Sequence, residues 1–168
     1  ANFVLSINCD DNSPSERERI VLYVDDTVGA SIQLGLKSTG SARRFAFVTI
    51  RVRRSRVGGT FIGDDRDVLS FEDVALLVSE ASEMDNVVWR PSTMQRVSLE
   101  FDHSTLNVTR MPRSFAEYCG IKLVATLFSD VAVRMVNHTV VDGPALNVAT
   151  QTGAGLARRL SVLVDRSV

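Results

Sequence analysis

Arg51 and Arg53 stand two residues apart in the run Phe45-Ala-Phe-Val-Thr-Ile-Arg-Val-Arg53. In an extended chain they share one face with Thr49, while Ala46, Val48, Ile50 and Val52 take the other. A guanidinium carries a rigid donor fork that meets phosphate two bonds at a time, and its flat face stacks on bases. A ladder of such groups on a solvent-facing strand therefore suits RNA. The bland alternative is a solvated face with cross-strand acids. Asp26 and Asp64 are the nearest acids along the chain, and Glu100 could pair with an arginine if its strand adjoins.

Catalysis has little to stand on. There is no Gly-rich phosphate loop, no cysteine pair at metal spacing and no Gly-x-Ser-x-Gly elbow. Asp102-His103 has the makings of an acid–base pair, but no nucleophile motif accompanies it, so it reads as a surface turn. His138 sits among apolar residues and reads as a face histidine. Asp10-Asp11, Asp25-Asp26 and Asp64-Asp65 invite a divalent metal, yet aspartate is favoured in turns for its local hydrogen bonds. The expectation is no enzyme, no cofactor and no metal. Cys9 and Cys119 are two distant cysteines that read as free thiols.

The charge distribution sharpens the arginine signal. Across 168 residues, 19 basic side chains oppose 20 acidic ones, for a formal charge of minus one. Only Lys37 and Lys122 are lysines, and from Thr27 to Gly63 six arginines and one lysine occur with no acid. A chain this long forms one domain and buries roughly 68–70% of its unfolded surface without disulfide or metal. The opening Ala1-Asn-Phe-Val-Leu5 stretch lacks a basic n-region, and no run approaches the ~18 apolar residues of a membrane span. A soluble, cytosolic chain is the expectation, with Ala1 left by removal of an initiator Met. The Asn107-Val-Thr109 and Asn137-His-Thr139 sequons are then chance matches.

The elements that must position these groups read as strands over the first two thirds. Asn2 to Asn8, Arg19 to Val24, Ala30 to Lys37, Arg44 to Arg53 and Thr60 to Ile62 are β-branched or alternating, and polar clusters separate them. They are expected to form a meander of hairpins. Ser70 caps a helix expected at 71–84, on which Val74, Leu77, Val78 and Ala81 recur at helical spacing. Arg96 to Asp102 alternates again, with Val97, Leu99 and Phe101 opposed to Arg96, Ser98 and Glu100. Ser114-Phe-Ala-Glu117 forms a capping box, and a second helix is expected from Val131 to Asp142, ended by Gly143-Pro144. Phe115, Cys119, Leu123 and Leu127 make one apolar stripe, which must lie across a sheet or a partner chain. Leu156 to Val164 adds a final strand, and no internal repeat is evident.

In this order the pieces resemble the coat proteins of single-stranded RNA bacteriophages, the levivirus family. The resemblance rests on Ala1-Asn-Phe-Val-Leu5, Gly29-Ala-Ser-Ile32, Val48-Thr-Ile-Arg-Val-Arg53, Trp89-Arg90 with Val97-Ser-Leu-Glu-Phe101, and Leu123 to Gly143. It implies an α+β fold: an antiparallel meander sheet with an N-terminal hairpin, and two C-terminal helices packing on a dimer partner. Residues 1–168 would form a single coat domain. Its parts would be the hairpin at 1–28, the sheet at 29–102 with a helix-like insertion near 65–88, the helices at 112–143 and a tail at 144–168.

The resemblance further implies a homodimer that assembles into an icosahedral shell around single-stranded genomic RNA and represses replicase translation. Such a protein resides in the virion and, during assembly, in the bacterial cytoplasm. Thr49, Arg51, Arg53, Arg96, Ser98 and Glu100 match the RNA-facing positions, although the family often has a base-stacking tyrosine where Arg96 stands. Phe115, Cys119, Leu123, Leu127, Val131 and Met135 would face the dimer partner. The insertion and the tail depart from the family's pattern. Alternatives are a non-viral RNA-binding regulator using the same arginine face, and a jelly-roll coat of the plant-virus type.

Overall fold

The computed structural model describes residues 3–9, 20–36, 43–62, 69–108, 120–150 and 155–168. Fifteen strands run through them: β1 (Phe3–Cys9), β2 (Ile20–Asp25), β3 (Val28–Leu36), β4 (Arg43–Arg53), β5 (Arg56–Ile62), β6 (Leu69–Ser79), β7 (Glu83–Met84), β8 (Val87–Trp89), β9 (Thr93–Asp102), β10 (Thr105–Asn107), β11 (Ile121–Val124), β12 (Leu127–Val136), β13 (Val140–Asp142), β14 (Leu146–Ala149) and β15 (Leu156–Val164).

The chain alternates between two sheets as it advances. One sheet has the order β15-β12-β9-β6-β4-β2, and every pairing in it is parallel. The other begins β1-β3-β5, then forks: β5 pairs with both β7 and β8, which lead to β10-β13 and β11-β14. Parallel neighbours need a crossover. Here each sheet's strands serve as the crossovers of the other, so the chain winds as a parallel β-solenoid.

Stacking of like residues fills the interior. Leu22, Ile50, Leu76, Leu99, Val133 and Val162 occupy one column from coil to coil. The four central members are essentially solvent-free. A second column holds Val24, Val52, Val78, Phe101, Met135 and Val164. Phe71 meets Trp89 edge-on, with ring centroids 5.6 Å apart, and ties the two sheets together across the core.

The antiparallel meander with C-terminal helices is therefore corrected. β1 and β2 form no hairpin; they lie in different sheets, paired with β3 and β4. The helix expected at 71–84 is β6 and β7, and the described part of the 112–143 pair is β11, β12 and β13. The Ser114–Glu117 capping box lies outside the described residues. The strand expected over Leu156 to Val164 is β15.

A left-handed kink shared by neighbouring strands explains why strands resembled helices. Phe47, Asp73, Arg96, Asp130 and Arg159 have φ between 51° and 58°. Each of the first four drops out of the ladder while the residues on either side stay paired in at least one register. Because both strands of a pair carry the kink, register is kept while the inward–outward alternation is reset. Inward residues then fall at Phe71, Val74, Leu76 and Val78, and again at Phe128, Val131, Val133 and Met135. The leading three-residue step mimics one turn of a helix.

The same pattern is an internal repeat, contrary to expectation. Phe45-Ala-Phe-Val-Thr-Ile-Arg-Val-Arg-Arg-Ser55, Met94-Gln-Arg-Val-Ser-Leu-Glu-Phe-Asp-His-Ser104 and Ala157-Arg-Arg-Leu-Ser-Val-Leu-Val-Asp-Arg-Ser167 align without a gap. Phe71 to Ser82 and Phe128 to Thr139 each add one residue before the hydroxyl. Successive members of the Leu22 column lie 28, 26, 23, 34 and 29 residues apart. With the connecting segments so unequal, no single period registers along the chain.

Candidate functional site

The outward face of the β2-to-β15 sheet carries most of the candidate residues. Thr49 and Ser98 share a column with Val21, Ala75, Ala132 and Ser161. Arg51 and Glu100 share the next, with Tyr23, Leu77, Arg134 and Leu163. The two trios thus point the same way, but β6 lies between β4 and β9 and separates them by a full strand.

Most of these charges find a partner on a neighbouring coil. Arg53 Nη2 donates to Asp25 Oδ2 at 2.6 Å. Arg96 donates through Nε to Asp73 Oδ1 at 2.7 Å and through Nη2 to Glu72. Glu100 lies 3.5 Å from Arg134 Nη1. The cross-strand acids that the Arg-rich window lacks along the chain are supplied by the coils before and after it. Arg54 shows this best, since it bonds Asp25 and Asp26 on one coil and Glu80 on the next.

These acids pull proton affinity in the expected direction. The Arg54 guanidinium holds the Asp26 carboxyl below its ordinary value, and carboxylates raise the affinity of Arg54 and Arg96 for their protons. All three groups are solvent-exposed, so their bonds screen readily and order the surface more than they stabilise it.

Arg51 is the exception. Its guanidinium lies 5.8 Å from the centroid of the Tyr23 ring, and both side chains are exposed. Among the described residues it makes no ion pair. An arginine over an aromatic face is a cation–π contact that leaves part of the donor fork facing solvent.

The corner between the sheets is the second cluster, and no expectation singled it out as a unit. Thr27, Ser55, Ser82, Ser104 and Thr139 follow the left-handed residues there, and their carbonyls accept from the amides of Arg56, Glu83, Thr105, Val140 and Val168 on the next coil. Their hydroxyls close the bend locally: Ser55 donates to Arg53 O, Ser82 to Ser79 O and Thr139 to Val136 O. The recurring Ser or Thr ten or eleven residues after the first apolar position is the sequence signal for this corner.

Asp102, His103 and His138 sit on this corner. Asp102 Oδ1 lies 2.9 Å from His103 Nδ1 and accepts from Asn137 Nδ2 at 3.0 Å. The Asn137 amide holds the Asp102 carboxyl below its ordinary value, against a smaller desolvation effect, and His103 adds to the lowering. The two imidazoles lie 5.9 Å apart, centroid to centroid. Among the described residues no group of three or more His, Cys, Asp or Glu is placed to hold a metal.

The expected dimer-interface residues fall elsewhere. Leu123, Val131 and Met135 are buried in the chain's own core, and Leu127 is half-buried at the start of β12. They pack between coils and present no stripe to a partner, which corrects that assignment. Phe115 and Cys119 lie outside the described residues. Among those described, no helix is long and apolar enough to cross a membrane. Compared with family models, curated proteins and solved structures, the chain matches none.

Proposed function

We propose that this chain is a structural protein that associates with copies of itself, as its resemblance to coat proteins implies. One observation supports this reading: the inward residues of β15 are exposed. Leu160, Val162 and Val164 expose 38%, 51% and 58% of their surface, whereas Val131, Val133 and Met135 directly beneath them expose at most 2%. An apolar surface continuous with a core, bordered by a strand edge, is a template for a further strand. The assembling character of the coat-protein expectation is retained. The helices that would have covered a partner's sheet are replaced by strands.

Sedimentation velocity over a concentration series tests this reading. Growth of the sedimentation coefficient with concentration is expected, and a single monomeric species throughout would overturn it. Electron microscopy separates the forms of assembly: closed icosahedral particles would favour a shell, and open rods would favour end stacking.

A second reading keeps single-stranded RNA as the partner, favoured by the exposed Arg51–Tyr23 pair. Nucleic-acid affinity grows with the number of neutralised phosphates. With Arg53 and Arg96 engaged by acids, the contact is narrow. Fluorescence anisotropy with labelled single-stranded RNA tests it. Arg51→Ala and Tyr23→Ala should each weaken binding more than Arg53→Ala, and binding that ignores all three substitutions would remove the pair from consideration.

A further inference from the structure

We infer that His103 and His138 form a chelating site for a divalent transition-metal ion on the outside of the corner between the sheets. They follow the neighbouring strands β9 and β12 at the same corner, both are exposed, and their ring centroids lie 5.9 Å apart. Two nitrogens held by one ion at about 2.0–2.1 Å each stand no more than about 4 Å apart. Rings with the observed spacing reach that separation by side-chain rotation, without movement of the backbone. The site is independent of the self-association proposed above.

The backbone fixes the spacing. His103 and His138 have left-handed φ of 45° and 65°. The Val140 amide donates to Ser104 O at 2.9 Å, and the Thr139 hydroxyl lies 2.9 Å from Phe101 O. Both clamps join the two coils within two residues of an imidazole.

Asp102 prepares one of the rings. An ionised carboxylate can only accept, and Asn137 Nδ2 donates to Asp102 Oδ1 and helps to keep the group ionised. The 2.9 Å contact of that oxygen with His103 Nδ1 therefore places the ring proton on Nδ1 and leaves the lone pair on Nε2. A carboxylate behind a metal-binding imidazole holds its tautomer and raises its basicity. On the flanking corners Glu80 is engaged by Arg54 and Arg166 by Asp165, so Asp102 is the charge that bears directly on the pair.

Imidazole ligands select among ions. Cu2+ should bind more tightly than Ni2+ or Zn2+, while Mg2+ and Ca2+ prefer oxygen and should not compete. Two protein ligands leave the rest of the coordination sphere to water, so the ion exchanges with solvent, unlike a closed structural centre.

Isothermal titration calorimetry of the full chain with CuCl2, joined to electron paramagnetic resonance of the complex, tests this. The wild type should show one saturable site with splitting from two imidazole nitrogens. Its affinity should fall on acidification, because protons compete for the same lone pairs. Asparagine tolerates left-handed φ, so His103→Asn and His138→Asn should fold, which far-UV circular dichroism verifies. Each should lose more affinity than Asp102→Asn, for which a loss of about 10-fold is expected. Each should also retain the signal of at most one of the two imidazoles. Copper binding that survives either histidine substitution unchanged would assign the ion to other ligands, thiols among them, and overturn the site. Absence of saturable Cu2+ binding in the wild type would overturn it as well.

Discussion

Arg96 and Asp73 occupy the same left-handed kink position on neighbouring coils, with φ of 51° and 52°, and Arg96 Nε lies 2.7 Å from Asp73 Oδ1. Asp130 and Arg159 repeat the arrangement two strands further, at 2.5 Å. The backbone makes the pair, because the shared kink aims successive side chains outward at one height.

A left-handed L-residue is strained by about 1–2 kcal/mol, and an exposed ion pair contributes only ~0.2–1 kcal/mol. Arg96→Gly and Arg96→Ala both remove the pair, but only glycine relieves the strain. Urea denaturation should therefore find Arg96→Gly the more stable of the two, by roughly 1 kcal/mol. The reverse order would argue against the left-handed conformation of Arg96.

Leu99 is solvent-free between Leu76 and Val133. Truncation to alanine should destabilise the fold by about 2–5 kcal/mol, since a solenoid core has no loose element to collapse into the gap. Double-mutant cycles should show coupling of Leu99→Ala with Leu76→Ala, and near-additivity with Ile50→Ala two coils away. Equal coupling to both would contradict the coil order.

The Thr139 hydroxyl lies 2.9 Å from both Phe101 O and Val136 O in a solvent-free corner. Thr139→Val keeps the shape and strands these acceptors, so a loss of about 1–3 kcal/mol is expected. Thr139→Ser keeps the hydroxyl and should lose less. Thermal unfolding of the two variants distinguishes a hydrogen-bonding role from a packing one.

Asp102 has a folded-state affinity for protons below its ordinary value of 3.8. The folded form therefore binds fewer protons than the unfolded form as pH falls toward and below that value. The stability Asp102 contributes is fully present above the unfolded pKa and is lost as pH falls through the folded one. Asp102→Asn should lower stability at pH 7 and flatten the acid limb of the melting-temperature profile. A parallel acid limb in the variant would show that other carboxylates carry it.

Strand positions were legible because alternation is local. Arg44 to Arg53 and Arg96 to Asp102 announce a buried and an open face without reference to any neighbour. Helices are expected there for an equally local reason: the left-handed kink at Asp73 or Asp130 inserts a three-residue step into a two-residue rhythm. The repeat was legible in principle, from the apolar spacing closed by Ser or Thr, and was concealed by connecting segments of unequal length.

By itself the chain determined the strands over Arg44 to Arg53 and Arg96 to Asp102 with their inward faces, and that arginine is concentrated between Thr27 and Gly63. Only the tertiary structure decided that the strands stack in parallel, because pairing partners lie 22 to 35 residues apart and nothing in a strand's own alternation selects its neighbour. The parallel stacking in turn decided the fate of the arginines. Asp25, Asp26 and Glu80 lie outside the acid-free window along the chain, yet sit one coil away in space, against Arg53 and Arg54.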